Sequence, residues 1–371
     1  MISSVYIENF KSFIKADFSL ANLTLIAGQN GLGKSSFIQV FLLLRQSFEK
    51  GTLPEKGLFL NGEYVRLGQG RDVYAAESED DKICFEIEWD LKHIFKCSFL
   101  YKPDSDFLQS AIKPDSANFN PFKESLFSSS FQYLCASRID TKTFFDISDY
   151  HINQLNSLGI HGEYTPHYLF QKQNEIVPIK ELCLPKRKDC TIGTQINAWM
   201  GKISPGIHVV TTNRGNMDTV QLGYKYETAK GFTDEFKPVN SGYGVTNVLP
   251  VITSILTARK GDLIIIENPE AHLHPSAQSV IGHLCALAAQ NGVQLIIETH
   301  SDHILNGIRV AVRKKVIEPS NVAVYFFERD IDKAGHSTDI IRPVIDEFGR
   351  ITSMPQGFMD EYGKNLDKLL Q

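Results

Sequence analysis

The chain has 371 residues, 42% hydrophobic and 22% charged, with a formal net charge of −5. That length supports a large core and about two or three structural units, and the acidic balance excludes polyanion binding by bulk charge, although a local basic surface stays open. No apolar run approaches the ~18 residues of a transmembrane helix, the first residues carry no secretory pattern, and six scattered cysteines without a C-x-x-C predict reduced, mostly buried thiols in a cytoplasmic protein.

Ser4 to Phe10, Lys15 to Leu20 and Leu23 to Ala27 read as three strands. Next comes Gly28-Gln29-Asn30-Gly31-Leu32-Gly33-Lys34-Ser35-Ser36, which fits G-x-x-x-x-G-K-[ST], the phosphate-binding P-loop. Its context agrees. A strand runs in, and Phe37, Val40, Phe41 and Leu44 follow at the spacing of a helix face. Glycines let successive backbone N–H groups turn around a phosphate without a Cβ in the way, and the helix N-terminus adds its positive dipole end. Lys34 is expected to reach the β- and γ-phosphates and Ser35 to hold Mg²⁺, with Asn30, Gly31, Gly33 and Ser36 in the same cradle.

Asn61-Gly62 reads as a tight turn between two strands. Ile83 to Trp89 and Ile94 to Leu100 alternate as an antiparallel pair, and 101–125 reads as loop. Phe131 to Arg138 reads as a buried strand with a polar tip. Arg138 is expected at the surface, with a ligand-facing cation as the sharper alternative. A helix ending at Trp199-Met200 closes a partly helical stretch that carries a basic cluster, Lys186-Arg187-Lys188, read as solvated loop with nucleic-acid contact as the sharper alternative. Ile207 to Thr212, Thr219 to Tyr226 and the run up to Phe236 read as strands.

The turn Asn240 to Thr246 then opens an apolar helix, a second terminus suited to an anion. Leu263 to Glu267 reads as a buried parallel strand with its acid at the C-terminal end, where ligands of α/β sheets bind. Pro275 suits a helix start, with Ala277, Val280, Ile281, Leu284 and Leu287 as its buried face. Val293 to Ile297 is a strand leading to His300. Val322 to Phe327 and Ile340 to Val344 are strands, and Asp360 to Leu370 is a short acidic helix. The spacings of His272, His274, His300 and His303 also permit a transition-metal site.

The opening Glu8-Asn9-Phe10-Lys11-Ser12-Phe13, followed by Leu23 to Ile26 and the P-loop, resembles the ATP-binding heads of the non-transporter branch of the ABC superfamily. That branch includes SMC proteins, RecF and the OLD-like ATPases of phage-exclusion and defence systems. The resemblance covers about 1–100 and 205–330. It implies an α/β fold with a mixed central sheet, flanking helices and an N-terminal antiparallel sheet. The expected parts are 1–100 with the P-loop, a compact insertion over 101–205, the second half of the head over 206–330, and a cap over 331–371. No sustained heptads predict a coiled-coil arm, and too few residues follow His300 for a Toprim nuclease.

The resemblance also implies site roles. Lys11 and Ser12 lie near the adenine and ribose. Gln69, assigned by order along the chain, senses Mg²⁺ and the γ-phosphate. Ser241, Gly242, Gly244 and Thr246 form the signature loop, which reaches the γ-phosphate held by another subunit, although the sequence departs from L-S-G-G. Glu267 is the Walker B metal ligand, and His300 is the switch histidine. Asn268 stands where the usual catalytic carboxylate would be, so Glu270 is the nearest alternative acid, and fast hydrolysis is in doubt while binding is not. The implied activity is an ATP–Mg²⁺ switch, a homodimer or higher homo-oligomer, in anti-phage defence or DNA metabolism. The alternative is a slow scaffold that holds a separately encoded effector, a nuclease or toxin. Nucleic acid stays open as a ligand, and no membrane is expected.

Overall fold

The computed structural model of the protein describes residues 1–78, 80–90, 92–111, 119–185, 189–213, 215, 218–329, 338–352 and 361–370. In chain order the first elements are β1 (Ile2–Phe10), β2 (Phe13–Ser19), β3 (Leu23–Gly28), α1 (Lys34–Glu49), β4 (Gly57–Phe59), α2 (Gly70–Val73), β5 (Lys82–Trp89), β6 (His93–Leu100) and β7 (Phe107–Gln109). Then come β8 (Phe131–Leu134), β9 (Phe144–Asp146), α3 (Thr165–Lys172), α4 (Ile192–Ile203), β10 (Ile207–Thr212), β11 (Thr219–Thr228), β12 (Gly231–Phe232) and α5 (Tyr243–Thr257). The chain ends with β13 (Leu263–Glu267), α6 (Pro275–Gln290), β14 (Gln294–Glu298), α7 (Asp302–Arg313), β15 (Val322–Glu328), β16 (Asp339–Ile341), β17 (Val344–Ile345), β18 (Ile351–Thr352) and α8 (Glu361–Leu369). No helix of the described residues is long and apolar enough to cross a membrane.

Contacts divide the chain into two units, and each has its own core. The first comprises 1–128, 323–344 and 352–371. Its antiparallel sheet runs β2-β1-β5-β6. Val5, Ile7, Phe85 and Ile87 are buried, alternating with the polar Tyr6, Glu8, Glu86 and Glu88, the two-residue period of a sheet with one wet face. Strands β16, β15 and β3 lie side by side, and α1 follows β3 through the glycine loop. The expected apolar stripe of α1 is wider than its four residues. Ile38, Leu42 and Leu43 are also fully buried, so the helix is enclosed on nearly all sides. The Asn61-Gly62 turn forms, but only as an isolated bridge between Asn61 and Arg66.

The second unit comprises 129–322 and 345–351. Residues 101–128 of the expected insertion therefore fall in the first unit and 129–205 in the second. Its central strands, β14, β13 and β8, are all parallel, and Leu263 to Ile266 are buried on both faces. A second sheet pairs β10 with β11, and β11 with β9 and β12. Helix α4 runs past the expected stop at Met200 to Ile203, since a single glycine inside a helix is tolerated at a modest cost. Cys183 and Cys190 form a disulfide, which corrects the expectation of reduced thiols throughout. Their Cα atoms lie 5.8 Å apart, within bonding reach. Cys97 and Cys285 are free and buried as expected.

Candidate functional site

The P-loop is built as its motif requires. Gly31 and Gly33 have φ of 77° and 89°, a left-handed backbone that other residues resist. Gly33 caps the start of α1, and a Cβ there would lie 2.6 Å from Ser12 Oγ. The Lys34 side chain is buried, and its Nζ donates to the carbonyls of Gly28 at 2.9 Å and Gln29 at 2.6 Å. The ammonium is thus folded back over its own loop. Asn30 and Ser35 are exposed.

Beside the loop is a cavity of about 320 Å³, lined by Lys11, Ser12, Gly31, Gly33, Ser36 and Tyr74, among others. Lys11 sits in a left-handed turn, φ 51°, pinned by its N–H to Val73 O at 2.8 Å. Its Nζ donates to Gln39 Oε1 at 2.7 Å. Burial lowers the ammonium's pKa from its ordinary value, and Asp72 opposes that shift. Ser12 Oγ is buried without a hydrogen-bond partner. A buried polar atom of this kind needs an explanation, and one at the wall of a P-loop cavity fits a nucleotide group. Tyr74 stacks on Tyr101 with ring centroids 3.9 Å apart. Gln69 is not among the lining residues. It caps α2, in a capping box with Asp72, and accepts from Arg71.

The second unit carries the acids. Glu267 ends β13, where Oε1 accepts from the Tyr133 hydroxyl at 2.9 Å and Oε2 from the Ala136 N–H at 3.2 Å. Burial, reinforced by the Glu267 charge, pushes the Tyr133 phenol far above its usual range, so that hydroxyl stays a donor. Asn268 follows with φ 45°, its N–H donating to Glu298 O at 2.8 Å. Glu270 Oε1 accepts from the His300 N–H at 2.8 Å, and Glu270 Oε2 is buried without a partner. Two residues expected in catalysis are therefore in direct contact, and His300 itself is exposed. His274 caps α6 by accepting from the Ser276 N–H at 3.3 Å. Among the described residues no group of three or more His, Cys, Asp or Glu side chains is placed to hold a metal ion.

Arg138 corrects the surface expectation. It is 3% exposed. Its Nε donates to the carbonyl and Oδ1 of Asn247 at 3.1 and 3.0 Å, and Nη1 to the carbonyls of Cys135 at 3.2 Å and Glu267 at 2.5 Å. Nη2 donates to the Asn268 carbonyl. One guanidinium thereby ties the end of β8 and helix α5 to the turn after the Walker B strand. Burial pulls its pKa down to about 10, against the opposing charge of Glu270, and it remains protonated at neutral pH. Tyr133 was also missed. The only cue was an aromatic hydroxyl on a strand that would lie beside β13.

The signature-like turn is divided by burial. Thr246 is fully buried and accepts from the Tyr224 hydroxyl at 3.1 Å, and Ser241 is largely buried with Oγ donating to Lys237 O at 3.2 Å. Gly242 and Tyr243 are the exposed part. Tyr243 packs edge-on against the His272 ring at 4.6 Å, and the His272 carbonyl would sit 2.3 Å from a Cβ on Gly244. The basic cluster Lys186-Arg187-Lys188 lies outside the described residues.

The family described as "AAA domain, putative AbiEii toxin, Type IV TA system" matches residues 64–306, more than half of the chain. The chain belongs to this AAA family. A further AAA domain family matches residues 4–96 of the AAA protein, P-loop included, and one described as "Protein of unknown function (DUF3696)" matches 317–369. No curated protein matches.

Among solved structures, an SMC head domain with an extended coiled coil, bound to the C-terminal domain of ScpA from Pyrococcus furiosus, is 13% identical with a TM-score of 0.50, covering 100% of this chain and 99% of that one. An SmcHead bound to the C-winged helix domain of ScpA is 12% identical, TM-score 0.49, covering 93% and 98%. The SMC head domain from Thermotoga maritima is 10% identical, TM-score 0.45, covering 92% and 98%. At such identities the likeness concerns fold. The AAA protein has the mixed α/β fold of an ABC-type, SMC-like ATPase head.

Proposed function

We propose that the protein binds ATP–Mg²⁺ and uses its binding and hydrolysis to switch between separate and paired copies. The observation that carries this reading is the P-loop. Lys34 is buried over glycine-loop carbonyls at the start of α1, beside a cavity whose wall holds the unpartnered Ser12 hydroxyl. Lys34 exchanges its two carbonyl partners for phosphate oxygens, and Lys11 and Ser12 receive the nucleoside. Ser35 and Glu267 offer oxygen donors of the kind that suits Mg²⁺, and Gln69 joins them only if its Oε1 leaves Arg71. When bound, Mg²⁺ neutralises charge on the phosphates. Glu270, oriented by the His300 N–H, takes a proton from water at Oε2, and the His300 ring meets the γ-phosphate. The Ser241–Thr246 turn of a second copy closes over that phosphate, through its exposed residues Gly242 and Tyr243.

Light scattering and calorimetry test this. ATP should pair two copies of a Glu270→Gln variant, and Lys34→Ala should abolish binding. A Glu270→Gln variant that binds ATP yet stays a monomer would remove the sandwich from the reading.

One observation favours a slow switch. Asn268 occupies the usual acid position with its backbone fixed on both sides, and a neutral amide orients water but accepts no proton. In this second reading the protein holds a separately encoded effector, a nuclease or toxin. A motor acting on nucleic acid predicts turnover stimulated by DNA or RNA and weakened by neutralising the exposed Arg313, Lys314 and Lys315. The slow switch predicts low turnover that nucleic acid leaves unchanged.

A further inference from the structure

The residues matched by the family of unknown function begin at 317, and of their described part 323–329, 338–344, 352 and 361–369 fall in the unit that carries the P-loop. Strand β15 lies beside β3, the strand that feeds the P-loop. Phe327 packs edge-on against Phe13 at 5.9 Å, and the Tyr325 hydroxyl donates to Ser19 O at 2.8 Å. Strand β16 pairs with β15 in the register Phe326–Ile341, Phe327–Ile340 and Glu328–Asp339. That register delivers Thr338 to the glycine loop. The Thr338 N–H donates to Ser12 O at 3.1 Å, and its Oγ1 donates to Leu32 O at 3.2 Å. A Cβ on Gly33 would lie 2.6 Å from Ser12 Oγ and 3.1 Å from Thr338 Oγ1, so both hydroxyls crowd the last glycine of the loop.

We infer that Thr338 is a positioning residue of the nucleotide site, which straps the P-loop at Leu32 to the Lys11–Ser12 turn and so presets the cradle and the Ser12 hydroxyl for a nucleoside triphosphate. The physical basis is preorganisation. A glycine-rich loop has much backbone freedom to lose when it closes on phosphates. A tether from a neighbouring strand removes part of that cost before the ligand arrives. The C-terminal segment thereby acquires a task in nucleotide binding.

This rests on the ATP reading above, and the test separates the two. Calorimetric titration of the full chain with ATP compares the parent with Thr338→Val, Thr338→Ser and Lys34→Ala. Valine keeps the shape and the backbone bond to Ser12 but removes the hydroxyl bond to Leu32; serine keeps both. Loss of one neutral hydrogen bond predicts ATP affinity weakened about two- to tenfold in Thr338→Val. Thr338→Ser should rescue it, and melting temperatures without nucleotide should match. Parental affinity in Thr338→Val, with binding lost in Lys34→Ala, would overturn the strap and leave the ATP reading standing. Equal weakening by valine and serine would overturn it as well. Undiminished binding in Lys34→Ala would remove the ATP reading itself.

Discussion

Replacing Arg138 by methionine is the sharpest test of how the Walker B turn is held. The side chain volume is nearly kept, but the carbonyls of Cys135, Glu267 and Asn268 each lose a charged donor, as do both acceptors of Asn247, and Asn268 O keeps only the Ala271 N–H at 3.1 Å. Each charge-assisted bond of this kind is worth roughly 1.5–3 kcal/mol. The sum is not additive, because water reaches part of the gap and the cost of burying the guanidinium is recovered. Replacing a buried ion pair by apolar residues is often neutral, since both charges leave together. Here the partners are mostly backbone carbonyls, which no substitution at Arg138 removes. A buried carbonyl left short of a donor costs about 1–3 kcal/mol, so several of them, partly offset, predict a net loss of about 3–5 kcal/mol, which in a unit of this size lowers Tm by roughly 6–20 °C. Arg138→Lys should recover only part, because a single ammonium cannot span acceptors on β8, α5 and the Asn268 turn at once. Thermal melts and urea titrations measure the difference. An Arg138→Met protein within about 1 kcal/mol of the parent would refute the reasoning, since it would mean that water satisfies those carbonyls equally well.

Three more outcomes follow from the same geometry. Ser12→Ala removes a buried hydroxyl that has no partner, so stability should hold or rise slightly while ATP affinity falls about two- to tenfold; a variant that binds ATP as the parent does would take Ser12 out of the site. Glu270→Gln should keep ATP binding and lower turnover by about 10²- to 10⁴-fold, as loss of a general base does, and phosphate release at parental rate would exclude Glu270 as the base. His167 is buried, and burial lowers its pKa below the ordinary 6.5, with Asp149 opposing. Below that value the unfolded chain takes up a proton that the native state refuses. Stability should therefore be full above about pH 6.5 and fall as the pH drops below it, with a shallower fall in His167→Gln in thermal melts.

The elements that sequence made legible are those whose cause is local. The P-loop is nine consecutive residues whose glycines, lysine and flanking helix all follow from short-range rules. Its left-handed Gly31 and Gly33 and the burial of Phe37, Val40, Phe41 and Leu44 needed no distant information. Strand β13 was equally plain, because a five-residue apolar run ending in an acid has few other uses. Glu270 and His300 are candidates named by their order after that strand, and their direct contact is visible only in the fold. Helix α7 went unread, even though Ser301 caps it by accepting from the N–H groups of His303 and Ile304.

Arg138 shows where such reading stops. A lone arginine at the end of an apolar strand is most often a surface residue, and the features that bury this one are not side chains. Four of its five acceptors are backbone carbonyls, which every residue carries and no sequence pattern marks. The only side-chain cue is Asn247, 109 positions away, and only the folded register brings the two together. Thr338 fails to stand out for the same reason, because its partners are the carbonyls of Ser12 and Leu32. In this chain the motif residues that are proposed to meet the nucleotide can be named from their own side chains. The residues that hold those motifs in place bind backbone, and they become visible only when the strands carrying them are paired.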